Sequence, residues 1–196
     1  MFEKFTDIDG LVNCAGVYGP IGKISEIDLE KFMEAFKINF FGTLYMCAAF
    51  IPRFQKSRKG KIVNFAGGGA ASPFPNYSAY AVSKVSIVRL TENMALEYKT
   101  ENLDVNAIAP GFVLTRLHKD TVAAGEMAGK DFLKKTLEEM EKGGADPKQA
   151  ARLTAFLLSR ESDGITGKFI SAVWDKWEEK DFQEKLKNDP DFATLR

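Results

Sequence analysis

The residues best suited to chemistry are Tyr80 and Lys84, which lie four positions apart in the segment YAVSK. In a helix, this spacing places both side chains on one face. A free tyrosine titrates near pH 10, and an ammonium group within about 4 to 6 Å favours the phenolate and lowers that pKa. Such a pair can exchange a proton near neutral pH, which suits carbonyl reduction or alcohol oxidation. The same spacing also arises by chance on many helix surfaces, so the surrounding sequence must decide.

Alternating strands and helices are expected to position this pair. Short apolar runs predict strands at residues 10–16, 61–65, 103–108 and 167–173. Apolar residues that recur every three or four positions predict a helix after Asp28, a helix over about 77–98 that carries the pair, and a helix after Asp146. Strands and helices that alternate in this way form a parallel sheet with helices on both faces, so the predicted class is α/β.

Two charged segments each fit more than one role. Residues 116–145 show weak helical patterns interrupted by glycines, which is typical of a mobile flap over a site and equally of plain surface. Residues 174–196 follow the last predicted strand as a charged tail. Within it, the charges of both signs from Glu178 to Asp191 could bind a partner but favour a solvated helix. The tail begins with Trp174 and Trp177, a pair that favours a docking contact over a substrate wall.

The composition excludes several classes of protein. Twenty-seven basic residues balance 27 acidic ones, so no net field attracts nucleic acid or an anionic membrane. Cys14 and Cys47 lie far apart without a histidine companion, which argues against a zinc site and indicates a reducing cytoplasm. No stretch approaches the roughly 18 uncharged apolar residues of a membrane span. We therefore expect a cytoplasmic protein with neither a nucleic-acid nor a membrane partner.

Several motifs in a fixed order add to this interpretation. They are NCAG at 13–16, INFFGT around Asn39, IVNF at 62–65, YAVSK at 80–84 and NAIAPGFVLT at 106–115. In order and spacing they resemble the short-chain dehydrogenase/reductase family. The resemblance runs from about Phe5 to Val173, nearly the whole chain, and implies a partial Rossmann-like sheet of about four strands in one domain, residues 1–173.

The resemblance implies roles for these residues. Tyr80 would donate or accept the proton, Lys84 would lower its pKa and hold the ribose of NAD or NADP, and Asn39 would support a water relay behind Lys84. The substrate would be a small alcohol or ketone, and two helices would pair subunits in a homodimer or homotetramer. The residues that would lie along the cofactor are Asn13, Ala15, Gly16, Pro110, Gly111, Val113 and Thr115.

The chain departs from the family pattern inside the site. A family serine that hydrogen-bonds the substrate oxygen is replaced by Gly67, and the usual second asparagine of the first motif is Cys14. Losing one such donor typically costs on the order of 10² to 10³ in rate, unless backbone amides, a water or Ser72 take its place.

A larger departure is the lack of the glycine-rich turn and helix that bind pyrophosphate, together with the βαβαβ part to which they belong. The first strand would then present an unpaired edge. Three explanations stay open: a fragment or mis-started frame, assembly with a partner that supplies the missing part, or a degenerate paralogue. Our leading hypothesis is an oxidoreductase whose activity is impaired by this lack. The alternative hypothesis is a non-catalytic interaction protein.

Overall fold

Parallel β-strands form the centre of the protein. The structure is a computed structural model that describes residues 8–57 and 60–195. Within these residues, one four-stranded sheet has the order β1-β2-β3-β4, and each neighbouring pair is parallel. The strands are β1 (Gly10–Asn13), β2 (Gly60–Phe65), β3 (Leu103–Ala109) and β4 (Phe169–Ser171).

Helices cover the sheet on both faces. They are α1 (Leu29–Phe36), α2 (Gly42–Ser57), α3 (Gly68–Ala71), α4 (Ser78–Glu97), α5 (Arg116–Ala124), α6 (Lys130–Glu141), α7 (Pro147–Leu158) and α8 (Lys180–Asn188). On one face, Phe50 and Phe54 of α2 pack with Ile62 of β2. On the other face, Leu153 of α7 packs with Val63. The predicted α/β class, with a partial parallel sheet and helices on both faces, is confirmed.

The helical segment before β2 has two parts that differ in winding. Asp28 begins it as predicted, because its carboxylate accepts hydrogen bonds from the backbone N–H groups of Glu30 and Lys31. A π-helical turn, Lys37–Phe41, then separates α1 from α2. Such turns are frequent at functional sites, and this one contains the fully buried Asn39.

By length and composition alone, the segment Leu29–Lys56 could cross a membrane. The sequence did not lead us to expect this property. About a third of the relevant window is buried inside the protein, where Cys47 and Phe54 pack with β1 and β2. Such contacts are typical of a core helix that lies on a sheet.

The segment after β4 is not the solvated tail that the sequence predicted. Trp177 and Leu186 are buried in the core that α7 forms with the sheet. The backbone N–H of Phe169 donates to the carbonyl of Ala193, and the Lys168 ammonium donates to three backbone carbonyls between residues 189 and 192. The charged residues of α8 are exposed, as expected of a solvated helix, but its apolar face packs inward, so the segment is part of the core and not a free tail. Residues 1–7, 58–59 and 196 lie outside the described residues.

The glycine-interrupted region 116–145 is largely helical. It forms α5, a 3₁₀ turn at Gly125–Ala128 and α6. Leu117, Phe132 and Leu133 of this region pack against aromatic side chains around Tyr80. The region therefore packs against the predicted site, and its movement as a flap stays a prediction.

Candidate active site

Tyr80 lies in the first turn of α4, where its side chain faces the carboxyl ends of the strands. The residue is buried, with 9% of its surface exposed. Burial raises its pKa to about 12, and the neighbouring Cys14 adds to the rise. The direction is opposite to the one expected from the sequence, because removal from water disfavours the phenolate.

Lys84 lies one turn further along α4, as the spacing predicted. Its ammonium is 5.6 Å from the centroid of the Tyr80 ring and donates a 2.7 Å hydrogen bond to the carbonyl of Phe65 at the end of β2. Burial lowers the pKa of Lys84 to about 8. Close to neutral pH, the lysine can therefore exchange a proton as well as hold one.

Asn39 joins the loop after β1 to α4. Its side-chain N–H₂ donates to the carbonyl of Val17 at 2.9 Å and to the hydroxyl of Ser83 at 2.9 Å. Its side-chain oxygen accepts from the backbone N–H of Val17 at 2.8 Å. Ser83 in turn donates to the Tyr80 carbonyl. Asn39 thus positions the turn after β1 relative to the helix that carries Tyr80 and Lys84.

The NCAG turn contributes two kinds of residue. A Cβ atom on Gly16 would lie 3.3 Å from the Lys84 ammonium and 3.4 Å from the Asn39 side-chain oxygen, so the turn runs directly beside both groups. Cys14 and Ala15 are exposed at the open side of the turn. The Asn13 side chain points elsewhere and donates to Asn64 at 2.9 Å, which ties β1 to β2.

The loop after β3 holds the other predicted cofactor residues, Pro110, Gly111, Val113 and Thr115. Gly111 has a φ of +85°, and a Cβ there would lie 2.4 Å from the Val173 side chain, so glycine is required. Thr115 caps α5 and forms a capping box with His118. This loop extends from the same edge of the sheet as the NCAG turn.

Gly67 lies against Tyr80. A Cβ atom on Gly67 would be 2.7 Å from the Tyr80 hydroxyl oxygen, closer than real Cβ contacts allow. With glycine in place of the family serine, the Tyr80 hydroxyl lies so near the backbone at residue 67 that a side chain there would not fit. Ser72, a candidate replacement, is exposed, and its hydroxyl donates to the carbonyl of Gly68 at 3.5 Å.

An aromatic group beside Tyr80 was missed by sequence reasoning. The rings of Tyr18, Phe74 and Tyr77 pack around it, and Tyr18 meets both Tyr80 and Tyr77 edge to face at 4.9 Å between centroids. We call these three residues the aromatic wall. Tyr18 could have been suspected from the sequence, because it lies two residues after the NCAG turn. Phe74 and Tyr77 could not, because spacing within one motif does not predict contacts between loops.

Together these residues form a proton-exchanging group at the edge where parallel sheets commonly bind ligands. An ammonium, a phenol hydroxyl and a glycine turn suit the ribose and nicotinamide end of a dinucleotide, since the absence of a Cβ on Gly16 lets the turn run directly against the Lys84 ammonium. The described residues thus fit that end of the cofactor.

Comparisons with known proteins agree with this geometry. A profile of the family described as enoyl-(acyl carrier protein) reductase matches residues 1–172. Dehydrogenase/reductase SDR family member 4 of Sus scrofa is 31% identical over 163 residues, which cover 83% of this chain and 57% of that protein. The chain thus spans little more than half the length of this relative.

Solved structures show the same fold. NAD⁺-bound xylitol dehydrogenase is 26% identical, with a TM-score of 0.79 over 87% of this chain and 69% of that one. ElxO with NADP bound is 26% identical, with a TM-score of 0.73 over 87% of this chain and 68% of that one. The motifs, the parallel sheet and these matches lead to one conclusion: the chain belongs to the short-chain dehydrogenase/reductase family.

Proposed function

We propose that this protein is an NAD(P)-dependent oxidoreductase that exchanges a hydride between a nicotinamide and a small alcohol or ketone. The observation that carries the proposal is the contact group of Tyr80, Lys84, Asn39 and Gly16 at the carboxyl edge of the sheet. Two similar structures hold NAD⁺ and NADP respectively, which supports a nicotinamide cofactor of either kind.

Tyr80 is the proton donor in the reducing direction and the acceptor in the oxidising direction. Its raised pKa keeps it protonated near neutral pH, so it is ready to donate to a carbonyl oxygen that gains charge. The nicotinamide, when bound, supplies or accepts the hydride. Lys84, with a pKa lowered to about 8, can return a proton to Tyr80 between turnovers.

The cofactor roles divide between two loops. Gly16 and Ala15 would face the ribose, since Gly16 lies beside the Lys84 ammonium. Pro110, Gly111, Val113 and Thr115 would orient the nicotinamide from the loop after β3. Asn13 holds β1 to β2 through Asn64, so its contribution to cofactor binding is indirect.

One observation favours a second candidate, a non-catalytic interaction protein. Gly67 brings no hydroxyl to the Tyr80 side, and a serine there would collide with the tyrosine as it now lies. A site under relaxed selection could lose that donor. The fully buried and bonded Asn39 argues for the catalytic candidate, because its hydrogen bonds arrange the site.

We further propose that the chain acts in the cytoplasm as a homodimer or homotetramer. Large apolar side chains are exposed along α1, α2 and α4; examples are Met33, Tyr45 and Val82. Exposed apolar side chains in this number favour contact with a second copy. The free thiols Cys14 and Cys47 suit a reducing compartment.

The decisive experiment titrates the purified protein with NADH and NADPH by fluorescence, with light scattering to measure its mass. We expect saturable binding of one cofactor and slow reduction of a simple ketone. Tyr80→Phe should keep cofactor binding and lose turnover, because it removes only the hydroxyl that exchanges the proton. A folded protein that binds neither cofactor would contradict the oxidoreductase and support the interaction protein.

A further inference from the structure

His118 is the only histidine of the chain, and it lies in the first turn of α5, just beyond the last of the sequence motifs. It is buried, with 7% of its surface exposed, whereas the next residue, Lys119, is exposed. An imidazole that is removed from water is stable only when its polar atoms have partners inside the protein. The partners of this ring therefore indicate its role.

The ring of His118 engages three residues of the loop after β3. The backbone N–H of Thr115 donates to its Nδ1 at 3.5 Å, and the ring forms a further hydrogen bond with the backbone of Val113. The Phe112 ring lies against it, with 3.9 Å between the centroids. These residues belong to the loop that would orient the nicotinamide. One side chain from outside the loop thus contacts both its backbone and its aromatic ring.

The helix that carries His118 is attached to the aromatic wall. The Tyr77 hydroxyl donates to the hydroxyl of Thr121, which also lies on α5, at 2.9 Å. The His118 ring meets Tyr18 edge to face at 6.4 Å between centroids, and Tyr18 meets Tyr80 in the same way at 4.9 Å. His118 therefore lies between the loop after β3 and the rings that pack around Tyr80. From this place it can fix the loop relative to the reacting hydroxyl.

The hydrogen bonds of His118 distinguish its contacts from simple packing. Burial lowers its pKa, and the hydrogen bond with Val113 opposes that shift only in part. The ring is therefore neutral near pH 7, a form with one acceptor nitrogen and one N–H donor. A phenylalanine of similar size could fill the same space, but it could bond neither Thr115 nor Val113.

We propose that His118 is a positioning residue that holds the loop of residues 110–115 in the shape that receives the nicotinamide. The inference rests on the oxidoreductase function proposed above. His118 needs no contact with the cofactor, because it acts through the backbone of Val113 and Thr115. Without its hydrogen bonds the loop could adopt other shapes, and the cofactor would bind more weakly because binding would then have to order the loop.

Two substitutions separate the hydrogen bonds of His118 from its packing. His118→Gln removes the ring but keeps an acceptor and a donor at the third position of a capping box, where glutamine is favourable. His118→Phe keeps a ring of similar size and removes both polar atoms. If the phenylalanine variant does not fold, His118→Leu replaces it, since leucine also lacks polar atoms and is smaller.

The test measures the Kd for NADH or NADPH, whichever the natural protein binds more tightly, by fluorescence titration, together with the melting temperature of each variant. We expect the Kd of His118→Gln to stay within about threefold of that of the natural protein, and the Kd of His118→Phe to be about tenfold higher, the scale of one lost hydrogen bond. Lys119→Gln, at the exposed neighbouring position, is the control and should leave the Kd unchanged.

A purely structural role of the ring predicts the opposite order. If His118 only filled space, His118→Phe would be the milder change in both Kd and melting temperature. That order, or equal Kd values for the two variants, would overturn the proposal.

Failure of the oxidoreductase function is distinguished by a measurement that needs no cofactor. Amide hydrogen exchange, followed by mass spectrometry on peptides that cover residues 110–118, reports how firmly the loop is held. We expect faster exchange in His118→Phe than in His118→Gln or the natural protein. This result in a protein that binds neither cofactor would refute the oxidoreductase and support the role of His118 in holding the loop. Equal exchange in the two variants would overturn the inference itself.

Discussion

The two sides of Tyr80 differ in how they are built. On one side, Asn39 hydrogen-bonds Val17 and Ser83, and Lys84 separately donates to the carbonyl of Phe65. On the side of Tyr18, aromatic rings pack edge to face. The polar side fixes positions through directional bonds, whereas the aromatic side removes water. One hydroxyl at their junction can therefore be both well oriented and poorly solvated.

Replacing Lys84, on the polar side of Tyr80, should reduce turnover more than any other change considered below. Lys84→Met removes the ammonium and its hydrogen bond to Phe65 while keeping most of the buried volume. We expect turnover to fall by on the order of 10² to 10³, as for the loss of a placed proton-transfer group. Steady-state kinetics measures it, with Lys134→Met on the exposed face of α6 as control. Activity within a factor of two of the natural protein would refute the role of Lys84.

The pH dependence of stability tests the burial of the Lys84 ammonium on the same side of Tyr80. Burial lowers the pKa of folded Lys84 to about 8 from its ordinary value of 10.5. Below pH 8 the folded state holds a costly charge, and this cost disappears as pH rises from about 8 to 10.5. The free energy of unfolding, relative to Lys84→Met, should therefore rise over this range by up to about 3 kcal/mol.

Urea denaturation of the two proteins at pH 7 and pH 10 measures this rise. The difference between them is the useful quantity, because the raised pKa values of Cys47 and Tyr80 change stability in the opposite direction in both proteins. A difference that stays constant between the two pH values would show that Lys84 is not desolvated.

Asn39→Ala should remove hydrogen bonds on the polar side of Tyr80 while leaving the side chains of Tyr80 and Lys84 unchanged. It leaves the N–H and carbonyl of Val17 without their side-chain partner. We expect the free energy of unfolding to fall by about 2 kcal/mol, the usual cost of unpaired buried groups. Thermal denaturation tests this, with Asn188→Ala at the exposed end of α8 as control. Equal melting temperatures for both variants would contradict the structural role of Asn39.

Gly67→Ser tests the junction of the two sides. The added Cβ would lie 2.7 Å from the Tyr80 hydroxyl oxygen, so the tyrosine must move. We expect a loss of stability of about 1 to 2 kcal/mol and lower turnover, although the serine restores the residue usual in the family. Gly68→Ser is the control, since nothing lies within 4 Å of a Cβ there. Higher turnover with unchanged stability would show that the site tolerates the serine.

Local sequence signals predicted much of the fold and the core of the site. The caps at Asp28 and Asp146 and the helix with Tyr80 and Lys84 follow from patterns within a few neighbouring residues. The strand positions also followed from short apolar runs, although β1 and β4 proved shorter than predicted. These features depend on neighbours along the chain, which a sequence displays directly.

The remaining features depend on contacts between distant parts of the chain. The pKa of Tyr80 rises because loops remote in sequence bury it, and no spacing signals that burial. The Phe65 carbonyl that holds Lys84 is a backbone group, which any residue would supply. The docking of α8 depends on Trp177 and Leu186 reaching a core built mainly by α7, β2 and β3.

The π-helical turn at Lys37–Phe41 should tolerate substitutions better than insertions or deletions. Each residue of an α-helix turns the chain by about 100°. Deleting one residue from the turn would rotate α2 by that angle relative to α1. Cys47, Phe50 and Phe54 would then leave the sheet. Substitutions within the turn can be accommodated one side chain at a time, whereas a change in its residue count would reorient the entire helix that follows.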